Sequence, residues 1–204
     1  MCAEKYVTVI PVAGFSSRMK EFKPLIEIGG LPLFIHTVTS ALAGSDAVVL
    51  VTGHRADDIE KSAGTRLSGQ ISGGRFLLVH NADYAEGMLT SMKTGIAAAL
   101  EYFAPDGIFL LPADCCCVPC DVFVRLKAEF TGESVLYPAY RGQSGHPPLI
   151  PSELLSDLAA YSGRDGLRGY LSQLPGKEVA AENDGILLDA DTQEDLAQIR
   201  SRLE

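Results

Sequence analysis

Residues 6–19 read YVTVIPVAGFSSRM. The first six, from Tyr6 to Pro11, form an apolar run with the length and β-branched content of a strand that is buried on both faces. The remaining eight include a glycine, two serines and an arginine, which is typical of a loop. Similar apolar runs follow along the chain, and they predict strands over 47–52, 75–80, 107–112, 134–137 and 185–189.

Amphipathic stretches of helical length lie between these runs. Apolar residues at helical spacing predict helices over 33–42, 90–103, 119–130 and 193–203. The alternation predicts an α/β fold, a three-layer Rossmann-like structure whose mostly parallel sheet carries helices on both faces. Residues 138–151 break the pattern with four prolines and two glycines, and we expect them to form an irregular excursion over the ligand-binding edge.

Composition limits the function classes. The chain has 204 residues, is 47% hydrophobic and carries a net charge of −9, which indicates one globular domain over residues 1–204 and makes duplex nucleic acid an unsuitable partner. No run approaches about 18 apolar residues, so we expect no membrane span. Residues 1–6 lack the basic and apolar regions of a signal peptide, and we expect a cytoplasmic location.

Four of the five cysteines fall within six positions. They are Cys115, Cys116, Cys117 and Cys120, while Cys2 stands alone. Cys117 to Cys120 reads C-x-x-C, which is compatible with a metal site or a redox pair, but a structural zinc site would need a second pair elsewhere. We therefore expect small, soft residues that fill a loop beside a site, and metal or redox chemistry is the alternative.

The loop after the first predicted strand has the composition of an anion site. In open α/β sheets, ligands bind outside the carboxyl ends of the strands, where this loop lies. Small residues leave backbone N–H groups accessible, and hydroxyls and two cations surround them. The candidate nucleotide-binding residues are Val12, Ala13, Gly14, Ser16, Ser17, Arg18 and Lys23. The spacing matches neither a P-loop nor G-x-G-x-x-G, and a turn followed by a solvated basic helix start is the alternative.

A sequence of motifs along the chain is similar to a known family. V-A-G-F-S-S-R-M at 12–19, K-P-L at 23–25 and I-G-G-L-P-L at 28–33 resemble the opening of the MobA-like nucleotidyltransferases. The resemblance covers nearly the whole chain, since further matching motifs follow in order at 51–54, 81–91 with Gly95, 111–114, 145–147, 163–168 and 189–195. The A-G-x-S and G-M-x-x-S patterns resemble the cytidylyltransferase branch more than the guanylyltransferase branch, which reads L-A-G-G.

The resemblance implies a single NTP transferase domain with a fold like that of the nucleotide-diphospho-sugar transferases. It implies that a phosphate oxygen of an acceptor attacks the α-phosphorus of CTP or GTP, and that pyrophosphate leaves. The best-known members attach CMP or GMP to molybdopterin, so a pterin or another phosphate-bearing acceptor is expected. A molybdenum hydroxylase is a candidate partner, and Mg²⁺ is the expected cofactor.

Three catalytic residues are expected on this basis. Arg18 and Lys23 would neutralise the triphosphate. Asp114 follows the predicted strand 107–112 and would hold Mg²⁺, which prefers one or two carboxylates plus phosphates and water; a helix-capping role is its alternative.

The second carboxylate is expected from Asp189 or Asp191, where the predicted strand 185–189 ends and where the family's D-x-D-T stands near the metal. Alternatively, Asp191-Thr192 caps the last helix, with Glu194 completing a capping box.

The remaining site residues are carried over from the resemblance. Ser91 is expected to contact the base or ribose, and a helix N-terminal serine is the alternative. His146, Asp165 and Arg168 are expected to meet the acceptor. Two rival functions stay open: transfer to a sugar phosphate or polyol phosphate, and non-catalytic binding of a cofactor or nucleotide by a maturation chaperone.

Overall fold

The computed structural model describes residues 4–14, 21–163 and 165–204. Its strands are β1 (Tyr6–Pro11), β2 (Glu27–Ile28), β3 (Leu31–Pro32), β4 (Ala47–Thr52), β5 (Phe76–His80), β6 (Gly107–Leu110), β7 (Val135–Tyr140), β8 (Gln143–Ser144), β9 (Leu149–Pro151) and β10 (Gly176–Ala180). Its α-helices are α1 (Leu33–Gly44), α2 (Ala56–Arg66), α3 (Ser68–Ser72), α4 (Met88–Phe103), α5 (Cys120–Ala128), α6 (Gly166–Leu171) and α7 (Gln193–Leu203).

Eight of these strands form one mostly parallel sheet in the order β10-β7-β9-β6-β1-β4-β5, with β8 paired to β7. β1 pairs in parallel with both β4 and β6, so the first strand lies in the interior of the sheet. β9 is antiparallel to both of its neighbours, β6 and β7. The predicted α/β class with a mostly parallel sheet is therefore confirmed.

Side chains of β1 alternate between two cores, one on each face of the sheet. Ile10 belongs to the core that contains residues of α1 and α5, and Val9 belongs to the core that contains residues of α4. Contact between α4 and the sheet is close, because a Cβ on Gly95 would lie 2.4 Å from Val9 Cγ1 and 2.6 Å from Val51 Cγ2. This packing fixes α4 over β1 and β4.

Several predicted elements are confirmed. The strands over 6–11 and 47–52 and the helix over 193–203 have the predicted bounds. The helices predicted over 33–42, 90–103 and 119–130 are present with shifted ends, as are the strands predicted over 75–80, 107–112 and 134–137. Among the described residues, no helix has both the length and the apolar character needed to cross a membrane.

The predicted strand over 185–189 is wrong. Residues Asp184–Leu187 form a 3₁₀ helix instead. The side-chain oxygen of Asn183 accepts a hydrogen bond from the Gly185 N–H at 2.7 Å, and this local turn competes with strand formation. Gly185 also packs so tightly on the Cys117 carbonyl that a Cβ there would lie 2.2 Å from the oxygen.

The irregular excursion predicted over 138–151 is wrong in part. β7 continues to Tyr140, and β8 turns back to pair with it. The buried residues of β9 then enter the sheet between β6 and β7. Their apolar side chains fill both cores, and this burial outweighs the prolines that suggested a loop.

Candidate active site

An open cleft of about 290 Å³ lies at the carboxyl ends of β1 and β6. Its wall combines the loop after β1, the start of the 3₁₀ helix Lys23–Leu25, the end of the β6 segment and the loop before α7. The lining residues are Pro11, Val12, Gly14, Lys23, Pro24, Leu33, Met88, Pro112, Ala113, Asp114 and Asp191. The cleft therefore lies where open α/β sheets bind their ligands.

Lys23 joins two carboxylates in this cleft. Its ammonium donates a hydrogen bond to Asp191 and lies 3.4 Å from Asp114 Oδ2. The Lys23 side chain is only 11% exposed, against 28% for Asp114 and 34% for Asp191. Because water screens such a partly buried group poorly, the three charges interact strongly.

Burial and the two carboxylates have opposite effects on the pKa of Lys23. Burial alone would lower the pKa of the ammonium, but the hydrogen bond and charge of Asp191 and the charge of Asp114 outweigh it and hold the pKa above its ordinary value. Lys23 therefore stays protonated at neutral pH and keeps its positive charge inside the cleft.

Asp114 owes its position to the loop that follows β6. The chain continues β6 beyond its last strand residue, since the Leu111 N–H donates to the Val9 carbonyl at 3.1 Å. The buried hydroxyl of Thr37 on α1 then donates to the Ala113 carbonyl at 2.7 Å. This bond fixes the backbone immediately before the carboxylate.

Asp189 and Asp191 lie on either side of Ala190, which is fully buried in a small core with α7. Asp191 faces the cleft, and Asp189 is exposed. The pKa of Asp189 is raised, first by partial loss of hydration and then by the charges of Asp191 and Asp114. The three predicted metal carboxylates thus influence one another electrostatically, although the predicted strand that was to present two of them is absent.

The last helix is capped by Thr192 rather than by Asp191. The Thr192 hydroxyl oxygen accepts a hydrogen bond from the Asp195 N–H at 3.1 Å, and an Asp195 carboxylate oxygen accepts one from the Thr192 N–H at 2.8 Å. This is a capping box. The expected partner Glu194 is therefore wrong, since Asp195 occupies that position.

The first loop enters the cleft with its backbone. Val12 and Ala13 are buried, and the Val12 N–H donates to the Val51 carbonyl at 2.9 Å. Gly14 is exposed, and a Cβ there would meet no atom within 4 Å. Three further residues predicted here, Ser16, Ser17 and Arg18, lie outside the described residues.

Ser91 is buried one turn inside α4 and points toward Asn81. The Asn81 amide nitrogen donates to both Ser91 Oγ and Thr90 Oγ1 at 2.9 Å, and its Oδ1 accepts from the Asp83 N–H at 3.1 Å. Asn81 is itself 3% exposed. The Ser91 hydroxyl is therefore held by the protein, and it is not part of the cleft wall that the described residues form.

His146 lies in the segment between β8 and β9. Its backbone N–H donates a hydrogen bond to the Ile186 carbonyl at 2.9 Å. The Nδ1 atom of its ring is buried with no hydrogen-bond partner among the described residues. Burial lowers the pKa of the imidazole, against the opposing charges of Asp114 and Asp189. The ring is therefore neutral at neutral pH, near the carboxylates but outside the cleft wall.

Asp165 and Arg168 lie at the start of α6. Both are exposed, and their described contacts are helical backbone bonds from Gly169 N–H to the Asp165 carbonyl and from Ser172 N–H to the Arg168 carbonyl. Neither residue contributes to the cleft wall. The structure does not bring them together with Lys23, Asp114 and Asp191.

Sequence reasoning missed several residues around the first loop. A Cβ on Gly53 would lie 2.7 Å from Ala13 Cβ and 2.6 Å from Tyr84 Cβ, so only glycine fits there. The His54 N–H donates to the Ala13 carbonyl at 3.2 Å. Gly53 and His54 directly follow β4, and Asn81 directly follows β5, so their positions at strand ends were the available signal.

Cys115, Cys116 and Cys117 lie in the loop between Asp114 and α5, and Cys120 is the first residue of α5. Cys115 and Cys116 are buried, and Cys117 and Cys120 are half-buried. Within 4–14, 21–163 and 165–204, no three His, Cys, Asp or Glu side chains form a cluster that could hold a metal ion. The described side chains alone thus build no closed metal site of the structural kind.

The sequence matches the MobA-like NTP transferase domain over residues 8–179. The molybdenum cofactor cytidylyltransferase of Escherichia coli strain K12 is 27% identical over 194 residues, which are 95% of each chain. A nucleotidyl transferase structure from Methanothermobacter thermautotroptrophicus has a TM-score of 0.81 and 24% identity, covering 98% of both chains. A 4-diphosphocytidyl-2C-methyl-D-erythritol synthase structure has a TM-score of 0.72 and 19% identity, covering 100% of both.

The two solved structures show that the fold is shared. The family match begins in β1 and ends in β10, so it includes the first loop, Lys23, the loop with Asp114 and the segment with His146. The resemblance that the sequence motifs indicated is confirmed. This protein belongs to the family of MobA-like NTP transferase domains and is a nucleotidyltransferase.

Proposed function

We propose that this protein transfers a nucleoside monophosphate, CMP in preference to GMP, from a nucleoside triphosphate to the phosphate of molybdopterin or its molybdenum cofactor. Pyrophosphate is the second product. The family membership supports the reaction type. The similarity over 95% of the chain to a molybdenum cofactor cytidylyltransferase supports the base and the acceptor.

One observation carries the proposal: a protonated lysine bridges two carboxylates inside the cleft at the first loop. Both the attacking phosphate and the leaving pyrophosphate are anions, so the reaction needs positioning and charge neutralisation more than a covalent intermediate. Lys23 supplies a positive charge that is available to a triphosphate. Asp114 and Asp191 supply the oxygen ligands that a divalent cation prefers.

The residues present fit a magnesium ion that binds together with its substrate. Mg²⁺ uses one or two carboxylates and completes its shell with phosphate oxygens and water, and Asp114 and Asp191 converge on one point through their shared contact with Lys23. Asp189 is near enough to these two carboxylates that, after burial, their charges raise its pKa. Bound there, the ion would neutralise developing charge on the phosphates.

The protein's own groups have separate tasks in this reaction. Asp114 and Asp191 would hold the divalent cation, and the Lys23 ammonium would then face the triphosphate. The exposed backbone of Gly14, together with Ser16, Ser17 and Arg18, supplies further donors to phosphate oxygens.

Base selection is assigned to the buried Ala13 and to the start of α4, where Asn81 holds Ser91. We assign cytosine to this region because the A-G-x-S and G-M-x-x-S patterns resemble the cytidylyltransferase branch.

The acceptor is assigned to His146 beside the carboxylates and, outside the cleft wall, to Asp165 and Arg168. The neutral His146 ring has a buried nitrogen without a partner among the described residues, so it can bond to a phosphate group that approaches the carboxylates. Asp165 and Arg168 on α6 are exposed and could bind the pterin side only at a distance from Lys23. A molybdenum hydroxylase that receives the product is the corresponding protein partner.

The test is to incubate the purified protein with Mg²⁺, molybdopterin and each of the four nucleoside triphosphates in turn, and to measure pyrophosphate. We expect the fastest release with CTP, slower release with GTP and none without molybdopterin. Faster release with GTP would contradict the base preference and leave the reaction type standing.

Two other outcomes would favour the rival functions. Release with a polyol phosphate or sugar phosphate, and none with molybdopterin, would favour transfer to a sugar phosphate or polyol phosphate. Binding of nucleotide and molybdopterin without any pyrophosphate would indicate a maturation chaperone that carries the cofactor.

A further inference from the structure

A second cleft of about 430 Å³ lies behind the loop that carries Asp114. We call it the thiol cleft, because Cys116, Cys117 and Cys120 line it; His36 of α1 and Leu203 of α7 line its other sides. It shares no lining residue with the candidate active-site cleft. Nothing in the proposed transfer reaction uses it.

The three thiols of this cleft are in different environments. Cys116 is 3% exposed and packs in the small core beside α7. The Cys120 thiol donates a hydrogen bond to the Ala43 carbonyl at 3.3 Å. Cys117 is half-buried and lines the cleft. Of the three thiols, Cys117 is thus neither buried like Cys116 nor bonded to a backbone carbonyl like Cys120.

An ion pair from two other elements lies beside the loop that carries Cys117. Gly185 packs on the Cys117 carbonyl, and the preceding residue, Asp184, accepts two hydrogen bonds from Arg202 of α7, at 2.8 and 3.0 Å. The neighbouring Cys116 thiol, and then the Arg202 guanidinium, hold the pKa of Cys117 below its ordinary value, against burial and the Asp184 carboxylate. Thiol–disulfide exchange proceeds through the thiolate, so this environment favours reaction at Cys117.

We propose that Cys117 is a modification site at which a low-molecular-weight disulfide forms a mixed disulfide with the protein. The Cys117 thiolate attacks one sulfur of the small disulfide, a new S–S bond forms and the old one breaks. The second half leaves as a thiolate and takes up a proton from water. No further oxidant is required, and an excess of small thiol reverses the step.

Modification at this position would reach the active site through packed backbone. The Cys117 carbonyl lies against Gly185, where a Cβ would come within 2.2 Å of the oxygen. Gly185 belongs to the 3₁₀ helix Asp184–Leu187, whose Ile186 carbonyl accepts a hydrogen bond from the His146 backbone N–H. Asp189 and Asp191 follow this helix in the chain. An adduct that displaces Cys117 would therefore move these groups, and we expect it to slow the transfer. That consequence rests on the proposed function, whereas formation of the adduct does not.

The test uses glutathione disulfide as the probe on the purified full-length protein. After alkylation and proteolysis, mass spectrometry should find the glutathione adduct first on the Cys117 peptide. The adduct should be lost in Cys117→Ser and in Cys117→Ala, and retained at the wild-type rate in Cys120→Ser, a matched thiol of the same cleft. First modification of Cys2 or Cys120, or an unchanged total rate in Cys117→Ser, would overturn the proposal.

A second variant tests the electrostatic part. Arg202→Gln removes a positive charge at an exposed position near the end of α7, so the pH at which modification reaches half its maximal rate should rise. An unchanged pH profile would contradict the role of Arg202. Pyrophosphate release should fall as the adduct forms and should return when dithiothreitol removes the adduct. If the fully reduced protein releases no pyrophosphate, that result counts against the proposed function. It does not affect the mapping of the adduct to Cys117.

Discussion

The Lys23 ammonium donates a hydrogen bond to the Asp191 carboxylate, although 168 positions separate the two residues. The same ammonium lies 3.4 Å from Asp114 Oδ2, across 91 positions. Three segments that are distant in sequence are thereby joined by one partly buried positive charge. This arrangement supports the proposed site for a metal-bound triphosphate.

Replacing Lys23 by methionine should impair both stability and turnover. The variant leaves two neighbouring carboxylates without their shared cation, and we expect unfolding to become easier by about 1–3 kcal/mol. Turnover should fall by roughly 10²-fold because a charge that faces the triphosphate is lost.

Urea unfolding and pyrophosphate release measure the two effects at Lys23. The control is Lys177→Met, which removes an exposed lysine paired with Glu129 and should change neither. Wild-type turnover in Lys23→Met would argue against a role for this ammonium.

His146 should make the protein less stable in mild acid. Its pKa in the folded protein is lowered by burial, so the unfolded chain binds the proton more readily than the folded one. Its contribution to stability is complete above pH about 6.5 and is lost as the pH falls below that value. In His146→Gln, the unfolding free energy should therefore fall less between neutral pH and pH about 5.

Urea unfolding at the two pH values measures this difference. An equal loss of stability in His146→Gln and in the wild type would show that another group causes the acid response.

Asn81→Ala should separate the support of α4 from the binding of nucleotide. It removes the donor to Ser91 and Thr90 and leaves the buried Ser91 hydroxyl without it, so we expect a loss of about 1–3 kcal/mol in unfolding free energy. We also expect a higher KM for the triphosphate. Ser201→Ala, which loses only an exposed bond to the Gln198 carbonyl, should stay within about 0.5 kcal/mol of the wild type.

Gly95→Ala should force α4 away from the sheet. Its new methyl would meet Val9 and Val51 at 2.4 and 2.6 Å, and overpacking of this kind costs about 1–3 kcal/mol. Gly64→Ala provides the opposite control, since a Cβ on this α2 residue meets nothing within 4 Å, and it should stabilise the protein by about 0.4–1 kcal/mol. Equal thermal midpoints in the two variants would contradict the close packing of α4.

The interior of the sheet could be predicted well from the sequence. β1 and β4 are buried on both faces along their whole length, so each appears as an unbroken apolar run with clear ends. α7 was equally clear because Thr192 and its capping box mark its start. These elements depend on burial and capping, both of which are local properties of the chain.

Elements at the edges could not be predicted in the same way. β10 is mostly exposed, and α2 buries only Ile59 and Ala63, so neither has a strong apolar pattern. The run 185–189 has the apolar content of a strand, yet the Asn183 turn and the contact between Gly185 and the Cys117 carbonyl make it a 3₁₀ helix. Because Gly185 and Cys117 are distant in sequence, no local sequence pattern predicts their contact.

The candidate site shows the same division. Asp114 and the first loop could be assigned because both follow strands at one edge of the sheet. The direct contact of Lys23 with Asp114 and Asp191 could not, since sequence does not show how far a side chain reaches. Ser91 was assigned to the nucleotide from the family resemblance, and its hydrogen bond from Asn81 became visible only in the structure.

The central claim is that the carboxylates held by Lys23 support nucleotidyl transfer with a divalent cation, and Asp114→Asn tests it most directly. The measurement is pyrophosphate release from CTP with molybdopterin over a range of Mg²⁺ concentrations, with Asp121→Asn, an exposed acid on α5, as the matched control. We predict that Asp114→Asn stays folded but loses roughly 10²–10³-fold in turnover, while Asp121→Asn behaves as the wild type. Wild-type turnover and Mg²⁺ dependence in Asp114→Asn would contradict the account.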